Sequence, residues 1–112
     1  MTRVLKIGGR PQADAALPAL IAESWDALGG SMVIVHGGGD DISALQKAFG
    51  VTAQFVDGRR VTTAQDLDLV RMALSGTANK RLVSSLVREG VRAVGRLWSV
   101  AIRNGTAVVS ET

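Results

Sequence analysis

The chain has 112 residues, is 46% hydrophobic and carries a formal charge of +3, so it holds enough apolar material for one compact globular unit and too much for a disordered one. It has no cysteine and a single histidine, which excludes a disulfide framework, a thiolate metal site and a multi-histidine metal site. No apolar run reaches membrane-spanning length and no signal-peptide core follows Met1, so a cytoplasmic protein that neither enters nor binds a membrane is expected.

Arg3 to Ile7 is an apolar run stopped by Gly8-Gly9 and predicts a first buried strand. Leu17, Leu20, Ile21, Trp25 and Leu28 then fall on one helical face closed by Gly29-Gly30, with Pro18 in the first turn. Met32 to Val35 predicts a second buried strand, and Ile42, Leu45 and Phe49 a second helix ended by Gly50. This strand, helix, strand, helix order predicts parallel strands and an α/β fold.

Gln54-Phe55-Val56 and Arg59-Arg60-Val61 flank Asp57-Gly58, the pattern of a β-hairpin. Thr63 and Asp66 open a third helix whose face runs through Leu67, Val70 and Leu74 to Gly76. Leu82, Val83, Leu86 and Val87 make a fourth helix closed by Gly90, and Val91 to Val94 reads as a third buried strand. Beyond Gly95, Arg96 to Ile102 and Ala107 to Val109 read as strands around an Asn104-Gly105 turn. The basic excess sits late: residues 1–79 hold seven basic and eight acidic side chains, residues 80–112 six and two. Lys80, Arg81, Arg88 and Arg92 lie at helix-surface spacing without interleaved aromatics, which favours a solvated face over nucleic-acid binding.

Ligands of α/β sheets bind beyond the carboxyl ends of parallel strands, where Gly8-Gly9 and Gly37-Gly38-Gly39 both lie. The two glycine turns should therefore be neighbours, with backbone N–H groups and a helix N-terminus able to hold a phosphate-like anion. Steric punctuation alone also explains the three glycines. Lys6, two residues before Gly8, either snorkels from the strand end or pairs with that anion. Asp40 and Asp41 complement a helix dipole, while Arg59 and Arg60 are either solvated or able to grip a carboxylate. Ile42 breaks a dinucleotide fingerprint and Asp40-Asp41 breaks a P-loop. The His-Gly-Gly-Gly run lacks the Gly-x-Ser-x-Gly elbow that hydrolases of that pattern carry, and His36 has no partner that would make it a base.

The motifs VLKIGG, VIVHGGG, DGRRVT and SGTANKRLVSSLVREGVRAVG, in this order, resemble the amino-acid kinase family, and within it the branch acting on N-acetyl-L-glutamate in arginine biosynthesis. The resemblance implies a parallel three-layer α/β sandwich with a substrate-lid β-hairpin over residues 51–61. It implies transfer of the γ-phosphoryl of ATP, carried with Mg²⁺, to a side-chain carboxylate. Lys6, Gly8 and Gly9 would hold the transferring phosphoryl, with Lys6 the catalytic group; Gly38 and Gly39 would hold substrate and phosphate, and Arg60 the substrate α-carboxylate. No protein metal ligand is implied, and a homodimer through this lobe is.

Family members normally follow Ala-Val-Gly with Leu and a Gly-Asp-Gly-type turn, then continue for more than this length again. Here Gly95 leads into Arg96-Leu97-Trp98-Ser99-Val100. The expected organisation is an amino-terminal substrate-binding lobe at 1–95 and a divergent tail at 96–112, from a frameshifted or truncated chain inactive by itself. The alternatives are a non-catalytic acyl-amino-acid-binding or assembly module, and a related aminoadipate-type kinase of lysine biosynthesis.

Overall fold

A computed structural model describes residues 2–52, 54–61, 63–64, 66–96, 98–103 and 106–111, with side chains as far as Arg96. Strands β1 (Arg3–Ile7) and β2 (Met32–His36) pair in parallel, Arg3 opposite Met32 and Ile7 opposite His36. Between them run a short 3₁₀ turn, Arg10–Ala13, and helix α1, Leu17–Ala27. Pro18 sits in the first turn of α1, where its missing N–H costs nothing, and Gly29 and Gly30 close the helix with φ of +67° and +81°. The fold is mixed α/β, as expected.

Both strands are less buried than the sequence suggests. β2 is half-buried throughout, and β1 is covered on one face only, leaving Val4 48% exposed and Lys6 in solvent. The core lies on the covered side, where Ile7 meets Ile21 and Ala22 of α1 and Leu82, Leu86 and Val91 from the other end of the chain.

Helix α2 (Gly39–Ala48) buries Ile42 and stops before Gly50, whose φ is +72°. Phe49, expected on its apolar face, is its C-cap and is 61% exposed, because the helix ends before that position turns inward. Strands β3 (Gln54–Val56) and β4 (Arg59–Val61) pair antiparallel with Val56 opposite Arg59. Asp57 and Gly58 both have positive φ, +50° and +74°, the two-residue turn expected of Asp-Gly.

Thr63 and Asp66 exchange hydrogen bonds, Asp66 N–H to Thr63 Oγ1 at 3.2 Å and Thr63 Oγ1 to Asp66 Oδ2 at 2.7 Å, although regular helix starts only at Leu67. From there the helix does not break at Gly76 as the sequence reading had it. Helix α3 (Leu67–Arg71) passes through a seven-residue π segment, Met72–Ala78, directly into helix α4, Asn79–Arg88. A Cβ on Gly76 would meet nothing within 4 Å and its φ is not positive, so nothing in its conformation stops the helix. Gly90, at φ +84°, does end it.

Val91 to Val94 is not a strand. Val91 is buried, but Val94 is 83% exposed and the segment joins no ladder among the described residues. A cavity of about 430 Å³ lies between β2 and Val94 and Arg96, where a third strand would pair. The last elements, β5 (Trp98–Arg103) and β6 (Thr106–Glu111), form an antiparallel pair; the expected Asn104-Gly105 turn falls outside the described residues. Among the described residues no helix is long and apolar enough to cross a membrane.

Candidate functional site

The parallel pairing of β1 with β2 brings the two glycine turns into contact at their carboxyl ends. A Cβ on Gly9 would lie 3.0 Å from the Gly38 Cα and 3.1 Å from its nitrogen, so backbone meets backbone here and no side chain fits between. Gly38 is the N-cap of α2 and has no side chain with which to cap it. Among the described residues the N-cap thus offers the first-turn N–H groups of α2 no side-chain acceptor and, with the helix dipole, they suit an anion. Gly39 is open, with only Arg60 Nη2 near its Cβ direction at 3.9 Å.

Gly38 carries a second constraint. Its Cβ position lies 2.8 Å from Leu74 Cδ2 and 3.1 Å from Ala78 Cβ, both on the π segment. The wide helical turn packs against the glycine loop, so this glycine is also a close-packing residue.

The hairpin brings Arg60 onto α2. Its Nη1 donates to Gln46 Oε1 at 2.7 Å, and its Nη2 donates to the Gly39 carbonyl at 2.9 Å and to Ser43 Oγ at 2.7 Å. The Phe55 ring lies 4.8 Å from the guanidinium carbon and Gln46 is 1% exposed, so the side chain is held from several directions. Because both Nη2 protons are engaged, a two-pronged grip on a carboxylate requires Ser43 or Gly39 to be exchanged for the ligand. Arg59 lies exposed on the other side of the hairpin.

Lys6 is exposed and makes no hydrogen bond or ion pair among the described residues, so the burial that the strand pattern suggested is not what holds it near the glycines. Asp41 pairs with Arg81 of α4 through two bonds, Nη1 to Oδ1 at 3.0 Å and Nη2 to Oδ2 at 2.8 Å. Those bonds hold its carboxyl below the usual 3.8, against the opposing effect of burial, and raise the Arg81 guanidinium in turn. Asp40 meets Arg10 at 3.5 Å in open solvent. Both acids thus have structural partners.

Two polar residues that the sequence reading did not single out sit at the centre. Gln12 Nε2 donates to the Gly37 carbonyl at 2.8 Å and reaches the Gly8 carbonyl at 3.5 Å, bridging the two turns, while its Oε1 is buried without a partner among the described residues. Asn79, buried at the start of α4, donates from Nδ2 to His36 Nε2 at 3.0 Å and accepts at Oδ1 from Lys80 Nζ at 2.8 Å. His36 Nδ1 in turn lies 2.9 Å from the Gly37 carbonyl. Gln12 is isolated in a proline-containing turn and gave no periodic signal; Asn79 could have been noticed as a polar residue within a helical run on the buried side of Leu82.

Residues 1–99 match the model of the amino acid kinase family. Among curated relatives, an acetylglutamate kinase from Dinoroseobacter shibae is 42% identical over 95 residues, 82% of this chain and 33% of the relative. One from Geobacter sulfurreducens is 43% identical over 97 residues, 84% of this chain and 33% of the relative. The chain thus spans about a third of the length of the curated relatives it matches. Among solved structures, smu.665 from Streptococcus mutans superposes with a TM-score of 0.69 at 33% identity, covering 80% of this chain and 37% of that one. An N-acetylglutamate synthase from Neisseria gonorrhoeae, complexed with coenzyme A and N-acetyl-glutamate, superposes with a TM-score of 0.62 at 25% identity, covering 99% of this chain and 28% of that one.

Proposed function

This chain belongs to the amino acid kinase family, and we propose that it is the substrate-binding lobe of an acetylglutamate kinase, with residues 1–95 as the lobe and 96–112 as a divergent tail. The reaction is ATP-dependent phosphorylation of the side-chain carboxylate of N-acetyl-L-glutamate, a step of arginine biosynthesis. The observation that carries this reading is the meeting of Gly8-Gly9 with Gly37-Gly38-Gly39 at the N-terminus of α2, beside an arginine already fixed over Gly39.

In this reading a substrate carboxylate oxygen attacks the γ-phosphorus, the bond to the departing ADP oxygen breaks, and an acyl phosphate results. Two anions must be brought together, so positioning and charge neutralisation supply the catalysis. Gly8 and Gly9 N–H groups and the Lys6 ammonium would face the transferring phosphoryl; Lys6 is exposed and unpaired among the described residues, which leaves its charge available. Gly38 and Gly39 would hold the substrate, Arg60 its α-carboxylate, and the β3–β4 hairpin would act as lid within a three-layer sandwich. Mg²⁺ would arrive on the nucleotide. Two copies would pair through this lobe in the cytoplasm.

A second reading, a non-catalytic module that binds an acyl amino acid, draws on the structural likeness to a synthase complexed with N-acetyl-glutamate, beside the sequence likeness to kinases. Calorimetric titration with N-acetyl-L-glutamate, then an assay of ADP release with MgATP on the chain joined to the remaining two thirds of an acetylglutamate kinase relative, separates the two. Binding with turnover supports the kinase; binding without turnover supports the module; absence of binding at millimolar ligand, where about 4 kcal/mol would be enough to register, overturns both.

A further inference from the structure

The peptide between Gly37 and Gly38 lies at the centre of the glycine loop, and flanked by two residues without Cβ atoms it is free to rotate about its axis unless held. Its carbonyl takes two donors, Gln12 Nε2 at 2.8 Å and His36 Nδ1 at 2.9 Å. Because the peptide unit is planar and trans, fixing the Gly37 C=O fixes the Gly38 N–H in the opposite direction. That N–H makes no hydrogen bond to protein among the described residues.

The polarity of the second donor is dictated link by link. Lys80 Nζ can only donate, so the Asn79 atom it meets at 2.8 Å is Oδ1, and Asn79 must turn its NH₂ to His36. His36 Nε2 must then be a bare acceptor, which puts the imidazole proton on Nδ1, where it faces the Gly37 carbonyl. Lys80 also donates to the Ser75 carbonyl at 3.0 Å, which ties this chain of bonds to the π segment.

We propose that Gln12, Asn79 and His36 are positioning residues that together lock the Gly37–Gly38 peptide plane and so aim the Gly38 N–H at the anion cleft. Asn79 acts through the His36 tautomer and Gln12 directly. The lock belongs to the free chain; only its use in substrate binding rests on the function proposed above.

The chain has one histidine, so a long-range ¹H–¹⁵N correlation reports this tautomer without ambiguity. At mildly alkaline pH the parent chain is expected to show the Nδ1–H form, and Asn79→Leu to shift part of its population to Nε2–H, the Gly37 carbonyl alone still favouring Nδ1–H. Residual dipolar couplings should show the Gly38 N–H vector reoriented in Asn79→Leu and in Gln12→Leu, and unchanged in Lys6→Ala. An Nε2–H imidazole in the parent overturns the proposal with no substitution needed, so it stays testable if a variant fails to fold. A tautomer and a Gly38 vector that do not move in folded variants also overturn it. Titration of the parent with N-acetyl-L-glutamate is read separately. Lack of binding with the Nδ1–H form present removes the function and leaves the lock, whereas binding with the Nε2–H form does the reverse. Where both hold, Gln12→Leu is expected to weaken N-acetyl-L-glutamate binding about tenfold, the loss of one well-aimed donor to an anion.

Discussion

Adjacent glycines in the triple-glycine loop should respond very differently to the same substitution. Gly38, with φ 169° and ψ 40°, lies outside the left-handed region, and the outcome of Gly38→Ala is set first by space. The new methyl would stand 2.8 Å from Leu74 Cδ2 and 3.1 Å from Ala78 Cβ. Carbon atoms prefer separations of about 3.5 Å or more, so Leu74 must yield about 0.7 Å and Ala78 about 0.4 Å. Leu74 can rotate; Ala78 has no side-chain torsion, so α2 and the π segment must part. Overpacking of this kind costs about 1–3 kcal/mol. At ~4 °C per kcal/mol for a chain of this size, Gly38→Ala should melt some 4–12 °C lower by circular dichroism. Gly39→Ala adds a methyl whose only neighbour is Arg60 Nη2 at 3.9 Å, and should stay within about 0.5 kcal/mol of the parent. A Gly38→Ala chain as stable as the parent, or a Gly39→Ala chain equally destabilised, would refute the close packing of loop and π segment.

Asp41→Asn should cost about 0.5–1 kcal/mol in urea at neutral pH, allowing for solvent screening of a partly exposed pair. Because Arg81 lowers the Asp41 carboxyl, its contribution is complete above 3.8 and fades as pH falls through the lowered value. Parent and variant melts should therefore converge in acid, and a gap that persists there would count against the pairing. Arg60→Ala leaves the buried Gln46 Oε1 without its donor and should cost about 1–3 kcal/mol in urea titration, before any effect on ligand; an unchanged midpoint would mean the hairpin is not anchored to α2. Lys6→Ala, by contrast, should leave stability within about 0.5 kcal/mol while weakening the nucleotide phosphate interaction of the proposed reaction; a large drop in midpoint would show a packing role that its exposure denies.

What could be read from the sequence was what local sterics dictate. Asp57-Gly58 announced its hairpin because few residue pairs accept two consecutive positive φ angles, and Gly30, Gly50 and Gly90 ended helices for a related reason. The meeting of the two glycine turns followed from parallel strand order alone. Burial was less legible, since an apolar run such as Val91 to Val94 or Arg3 to Ile7 does not say how many of its faces find a partner. Gly76 misled because glycine was taken as a stop, whereas the helix runs on through it with a wider turn. Gln12 and Asn79 were missed because their importance lies in which carbonyl or ring nitrogen they face, and that is a property of the assembled loops.

The π segment also acts as a phase adjuster. Within it, Leu74 and Ala78 address the glycine loop; downstream, Leu82 and Leu86 address the core beside α1. A uniform α-helix advances about 100° per residue, so the extra backbone taken up by wider turns sets the angle between these two faces. Deleting one residue, Gly76 for instance, would turn everything after it by about that angle relative to the loop. Asn79 would swing away from His36 if the core half kept its seat, or Leu82 and Leu86 would leave the core if Asn79 kept its own. Length in this stretch is therefore as constrained as residue identity, and the exposed, uncrowded Gly76 tolerates replacement far better than removal.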